Sequence, residues 1–260
     1  MFIMKKILAI LLAMMMLLSF AACTAGNGDA DDTTDAVTTD ADDKGDAGDT
    51  TDAGDDAKVM TYAEYDAAEL DSKVVIEAYV QATQSWWDNK ITVYTQDKDG
   101  AYFIYELACT EEDSAKLVPG TKIRVTGFKS EWSGEVEITD GTFEFVEDAD
   151  TYIADATDVT DLLGTDDLIK HQNKFVCFKG MTVKNITYKN DKPGDDIYVT
   201  VTKDGADYSF CVEMYLTAPT SDTYLAVSKL VEGDIVDIEG FLYWYEGVNT
   251  HITGVTKVEG

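Results

Sequence analysis

Two histidines, His171 and His251, and a single arginine, Arg124, are the ring bases and the guanidinium that this sequence offers. His171 stands in Ile169-Lys170-His171-Gln172-Asn173, at the end of a helix-compatible stretch. A cation there suits the helix dipole, which is reason enough for it. His251 falls in the last strand-like segment with no partner evident. No G-x-S-x-G elbow, H-E-x-x-H pair or phosphate-cradling glycine loop occurs. Carboxylates are so numerous that chance pairs abound. Glu131, Glu135 and Glu137 alternate across a hairpin, the pattern of a strand's solvated face. Asp97, Asp99, Asp191, Asp195 and Asp196 flank turns, where Asp bonds nearby amides; calcium at these turns is the alternative. The reading is a protein that is not an enzyme, with no catalytic residues, cofactor or metal.

The aromatics hold more promise. Trp86 and Trp87 end a strand-like segment just before Asp88-Asn89. Trp132 lies in a later hairpin, and the matching hairpin of a second copy carries Tyr243-Trp244-Tyr245. Flat ring faces at loops stack on sugars or bases, so these six are the candidate ligand-binding residues; the plainer role for them is closing barrel ends.

Elements that would position these rings follow from a repeat. Leu117-Val118-Pro119-Gly120-Thr121-Lys122-Ile123-Arg124-Val125-Thr126-Gly127-Phe128 overlays Leu230-Val231-Glu232-Gly233-Asp234-Ile235-Val236-Asp237-Ile238-Glu239-Gly240-Phe241 without a gap. Upstream, Lys98-Asp99-Gly100-Ala101 matches Lys203-Asp204-Gly205-Ala206. Period-2 alternation and turn residues predict strands near 73–84, 90–96, 101–108, 121–128 and 134–146. In the second copy they predict strands near 174–186, 196–203, 206–215, 234–241 and 248–258. Helical segments at 111–117 and 220–230 lie between third and fourth strands, and helical leads at 62–70 and 159–171 precede the first. Five strands with a helix between the third and fourth is the order of the OB-fold, whose ligands meet the loops after strand one and between strands four and five. The expected class is all-β with short helices: two tandem OB-fold-like five-stranded barrels, 58–148 and 149–260, with a β-sandwich as the alternative.

The start of the chain has its own logic. Lys5 and Lys6 precede the apolar run Ile7–Leu18 and then Ser19-Phe20-Ala21-Ala22-Cys23, the layout of a signal peptide over 1–22. Thr24 to Ala57 holds 12 Asp and one Lys, a charge of −11 over 34 residues with no aromatic. Such a segment buries too little apolar surface to offset its ordering entropy, so 23–57 reads as a disordered acidic linker. Removing the +2 of the signal lysines and this −11 from the total of −30 leaves −21 for residues 58–260. With no basic stripe, nucleic acid is set aside as a partner. Cys109, Cys177 and Cys211 sit among apolar neighbours and read as small core residues.

Ala21-Ala22-Cys23 resembles the bacterial lipobox, with Phe20 departing from the usual aliphatic residue three positions before the cysteine. The chain as a whole resembles tandem OB-fold lipoproteins of Gram-positive anaerobes. That resemblance implies a diacylated Cys23 and a membrane partner through the lipid. It places the chain on the extracytoplasmic face of the cell membrane. The expected function is a membrane-anchored binding protein recognising glycan or a surface protein through its loop aromatics. The alternative is a structural lipoprotein of an envelope complex.

Overall fold

The period-2 segments of the first copy fold as β1 (Lys73–Thr83), β2 (Lys90–Gln96), β3 (Ala101–Ala108), β4 (Lys122–Trp132) and β5 (Glu135–Phe145) in the computed structural model, which describes residues 58–258. They close into a barrel in the order β1-β2-β3-β5-β4. Ile76, Val80, Val93, Ile104, Ile123, Val125 and Ile138 fill its interior. Helix α1 (Tyr62–Ala67) starts at Thr61, whose side chain and Glu64 form a reciprocal capping box. The short α2 (Glu111–Ser114) lies between β3 and β4.

The second copy repeats the plan. Its strands are β6 (Thr157–Asp158), β7 (Phe175–Tyr188), β8 (Ile197–Lys203), β9 (Ala206–Val212), β10 (Ile235–Phe241) and β11 (His251–Lys257), with α3 (Asp222–Val227) between β9 and β10. The sheet runs β10-β11-β9-β8-β7-β6, and a further β10–β7 pairing brings β7 to β11 round into a ring. The two-residue β6 adds in parallel at the start of β7. Two OB-like rings, rather than a sandwich, are the architecture. Both belong to one compact unit of the chain.

The shared Gly-Phe motif has a steric reason. A β-carbon on Gly127 would come 2.8 Å from the Thr139 carbonyl oxygen, and one on Gly240 would come 2.2 Å from that of His251. Each glycine sits where two barrel strands approach too closely for a side chain, beside a register shift.

Several boundaries differ from the sequence reading. The lead at 159–171 is two 3-10 turns, Thr160–Leu162 and Leu168–His171, rather than a helix. Gly164, at φ +77°, breaks it. The helical segments shorten to Glu111–Ser114 and Asp222–Val227. Strand β4 runs on to Trp132, so that ring ends a strand instead of riding a loop. Strand β11 starts three residues later than expected. The signal segment 1–22, Cys23 and the linker 23–57 lie outside the described residues.

Candidate functional site

The six candidate aromatics divide among three places. Tyr243 and Trp244 belong to a seam between the barrels. There Tyr94 of β2 stacks on Phe241 of β10 with centroids 4.5 Å apart, Phe103 meets Tyr243 at 5.3 Å, and Tyr243 stacks on His251 at 4.2 Å. Trp244 packs onto Gly134, where a β-carbon would come 2.8 Å from its ring.

Polar groups of this seam were misread from sequence. Glu135 and Glu137 are not on a solvated face; both are buried. They point out of the first barrel, and the second barrel covers them. Glu135 Oε2 accepts from Trp244 N at 2.8 Å and from Gln172 Nε2 at 3.1 Å, while its Oε1 is buried without a partner. Burial pushes its pKa up to about 9, and burial also lifts Glu137 to about 7. His251 has a partner after all, since Tyr94 Oη lies 2.6 Å from its Nδ1. Burial holds its pKa down at about 4, so the ring is neutral and its acceptor nitrogen suits the tyrosine proton. Burial also lowers His171, which weakens the helix-cation reading at the end of a 3-10 turn.

A second place is the pair Trp132 and Tyr245. These rings come from the β4–β5 hairpin and from the loop after β10, and meet at 5.1 Å with their planes tilted by 35°. Glu246 N donates to Ser133 O at 2.8 Å, tying the two loops together. Trp132 is 52% exposed and Tyr245 47%.

Trp86 and Trp87 form the third place, and here the geometry suits a ligand. They wall a cleft of about 460 Å³ with Ile91, Tyr105 and Glu106 of the first barrel and Tyr215 of the second. Ser85 N donates to Tyr215 O at 2.8 Å, and Glu213 accepts from the amides of Tyr215 and Leu216, so the second barrel's wall is anchored. The Asp88-Asn89 turn, with both φ positive at 48° and 59°, folds the chain back within two residues. This fixes Trp87 at the rim. Trp86 is half-buried, its Nε1 donating to Cys109 O at 2.8 Å. Trp87 is 71% exposed, and among the described residues no other ring packs on it or on Tyr215. Lys90 and Glu106 pair at 2.6 Å along one side. Tyr105 and Tyr215 were missed by sequence reasoning. The legible signal for Tyr215 was an aromatic in the turn just after a strand, whereas Tyr105 is one aromatic of the alternating run within β3.

Other sequence candidates have structural roles. Arg124 pairs with Glu77 and Glu144, each at 2.8 Å. Asp196 accepts from Lys189 and from Met214 N. Cys109, Cys177 and Cys211 are buried free thiols. Among the described residues, no group of three or more His, Cys, Asp or Glu is placed to hold a metal.

No family model matches the chain, and no curated protein matches it. Solved structures that align with it include a murine DNA binding protein bound with double-stranded DNA, at 13% identity and TM-score 0.37, over 72% of this chain and 97% of that one. A p204 HINb domain aligns at 11% identity and TM-score 0.35, over 74% and 100%. A replication protein A heterotrimer bound to single-stranded DNA aligns at 13% identity and TM-score 0.32, over 74% and 50%. These findings correct the expected function and partners. The neighbours include DNA complexes, so nucleic acid is not set aside. Neither glycan, a surface partner nor an envelope-complex role finds support among them, and none is a lipoprotein or an extracellular protein by its description. The expectation rested on the absence of a basic stripe, which bears on phosphate contacts and not on ring stacking. At such TM-scores the likeness assigns no ligand to this chain.

Proposed function

We propose that residues 58–258 are a two-barrel binding module whose ligand enters the Trp86–Trp87–Tyr105–Tyr215 cleft and is held by ring stacking, with no catalytic step. The observation that carries this is Trp87, 71% exposed at the mouth of a cleft walled by both barrels. Covering such a ring removes on the order of 100–150 Å² of apolar surface from water, roughly 3 kcal/mol. The ligand therefore carries a ring or apolar face that fits between the walls. A titration of tryptophan emission with nucleosides, benzyl alcohol and a short single-stranded oligonucleotide tests this. Saturable quenching that is lost in Trp87→Ala and reduced in Tyr215→Ala is the expected outcome. Quenching that persists unchanged in Trp87→Ala, or none with any probe, rejects the cleft. The salt slope separates ligand classes, because strand binding that weakens with salt reports phosphate contacts and an indifferent slope reports stacking alone.

The same proposal includes the chain's localisation. Cys23 is acylated and 23–57 tethers the barrels, 58–148 and 149–260, to the extracytoplasmic face of a membrane. Lys5-Lys6, Ile7–Leu18 and Ala21-Ala22-Cys23 support it. Mass spectrometry of the cellular protein is expected to find an N-terminal Cys23 carrying a diacylglyceryl thioether. An unmodified Cys23, or a mature chain that retains Met1, rejects it.

A further inference from the structure

Four aromatic rings and one carboxylate face the cleft, and its only cationic lining residue is Lys90. That lysine does not lie over a ring; its Nζ is held 2.6 Å from Glu106. Aromatic faces are electronegative and attract cations, most strongly for tryptophan, with about 0.5–2 kcal/mol per favourable contact. The rest of the molecule adds to this. Residues 58–260 carry −21, which raises the local concentration of cations and repels anions. Glu213 supports the turn that carries Tyr215, so a further carboxyl backs that wall.

Glu106 itself is held in an unusual way. It lies within β3 at φ +48°, the left-handed region that a glutamate rarely adopts, opposite a register shift between Ile91 and Val93. Its N–H donates to Thr92 Oγ1 at 3.2 Å. A backbone conformation of this kind costs about 1 kcal/mol or more and persists where its surroundings enforce it. Its consequence here is a carboxylate set on the cleft side, beside the rings.

We propose that the cleft is a receptor for an organic cation, specifically a quaternary or methylated ammonium group, seated among the aromatic walls with Glu106 as its counter-charge. This rests on the cleft reading above and names the class of its ligand. Lys90 is then the internal competitor: the ligand's charge takes the place of the Lys90 ammonium beside Glu106. Removing the lysine is therefore expected to tighten binding, the reverse of what a phosphate-binding cleft would show.

Isothermal titration of the full chain with choline and with 3,3-dimethylbutan-1-ol, its uncharged isostere, tests the proposal. Choline is expected to bind about tenfold tighter than the alcohol, a ratio within the range of cation–π attraction. Trp87→Ala is expected to abolish binding, Glu106→Gln to weaken choline several-fold, and Lys90→Met to strengthen it several-fold. Neither of the last two should alter alcohol binding. Circular dichroism and melting of each variant identify any that fails to fold, and Lys90→Met still tests the proposal by its gain of affinity. Equal binding of choline and the alcohol overturns the cation class and leaves the cleft standing. So does binding of the nucleosides, or of the oligonucleotide with affinity that falls as salt rises, without binding of choline. If choline, the alcohol and every ring probe fail to bind, the cleft reading falls with it.

Discussion

Glu135 is a carboxyl group with one oxygen bonded twice and the other buried and unpartnered. A proton on Oε1 turns that orphan from acceptor to donor and removes the charge that burial disfavours. With a pKa raised from 4.5 to about 9 by burial, Glu135 is neutral in the folded chain near pH 7 and ionised in the unfolded one. The folded state then holds a proton that the unfolded state releases. Stability from this group is lost as pH rises from about 4.5 towards 9, by up to ~1.4 kcal/mol per pH unit. Glu135→Gln keeps an acceptor for Trp244 N and carries no ionisable proton. Urea denaturation is expected to show the variant gaining on the wild type as pH rises, and exceeding it by about 1–3 kcal/mol at pH 8. A variant less stable at pH 8 would mean that the native seam stabilises the carboxylate.

At the scale of elements, the strands obey their two-residue period while their outer faces follow no local rule. In β2, every residue from Ile91 to Gln96 is buried, because one face lines the first barrel and the other meets the second. Closure of each barrel depends on one strand crossing at a glycine. Gly240→Ala drives a β-carbon to 2.2 Å from a carbonyl oxygen, and backbone cannot yield as a side chain can. A cost of about 3 kcal/mol in chemical denaturation is expected. Gly254→Ala, whose nearest contacts would lie at 3.4 Å against the flexible Glu239 side chain, serves as the tolerant control. If the two variants have equal midpoints, close approach is not what selects Gly240.

On the scale of the whole molecule, the seam makes two barrels behave as one body. Gln96 Oε1 accepts from Phe175 N at 2.8 Å, Asn173 Nδ2 donates to Val136 O at 2.9 Å, and the Tyr94–His251 bond crosses the same boundary. A single calorimetric transition is expected for the wild type, with matching calorimetric and van't Hoff enthalpies. Phe241→Ala removes the ring between Tyr94 and Phe175. Its expected cost is about 3–5 kcal/mol, with the melt splitting in two. Two transitions in the wild type would show that the seam does not couple the barrels. Acid acts at the same place. His251 takes a proton only near pH 4 when folded but near 6.5 when unfolded. Its contribution is therefore complete above pH 6.5 and is lost as pH falls to about 4, and a lower melting temperature across that window checks it.

Residue order alone determined the strands, the five-strand plan and its repetition, since alternation of apolar and polar side chains reports which face of each strand must leave water. It also marked the three apolar cysteines as core residues. Tertiary structure decided which outer faces stay in water. Phe128 and Phe241 hold the same place in the repeat, yet the first is 43% exposed and the second 3%. Glu135 and Glu137 read as solvated and are buried, Trp87 stays open, and Tyr215 becomes the far wall of a cleft begun by residues about 130 positions earlier. A strand's periodicity records its own two faces; whether an outer face is covered depends on its fit to another barrel, and that fit is written nowhere within the strand.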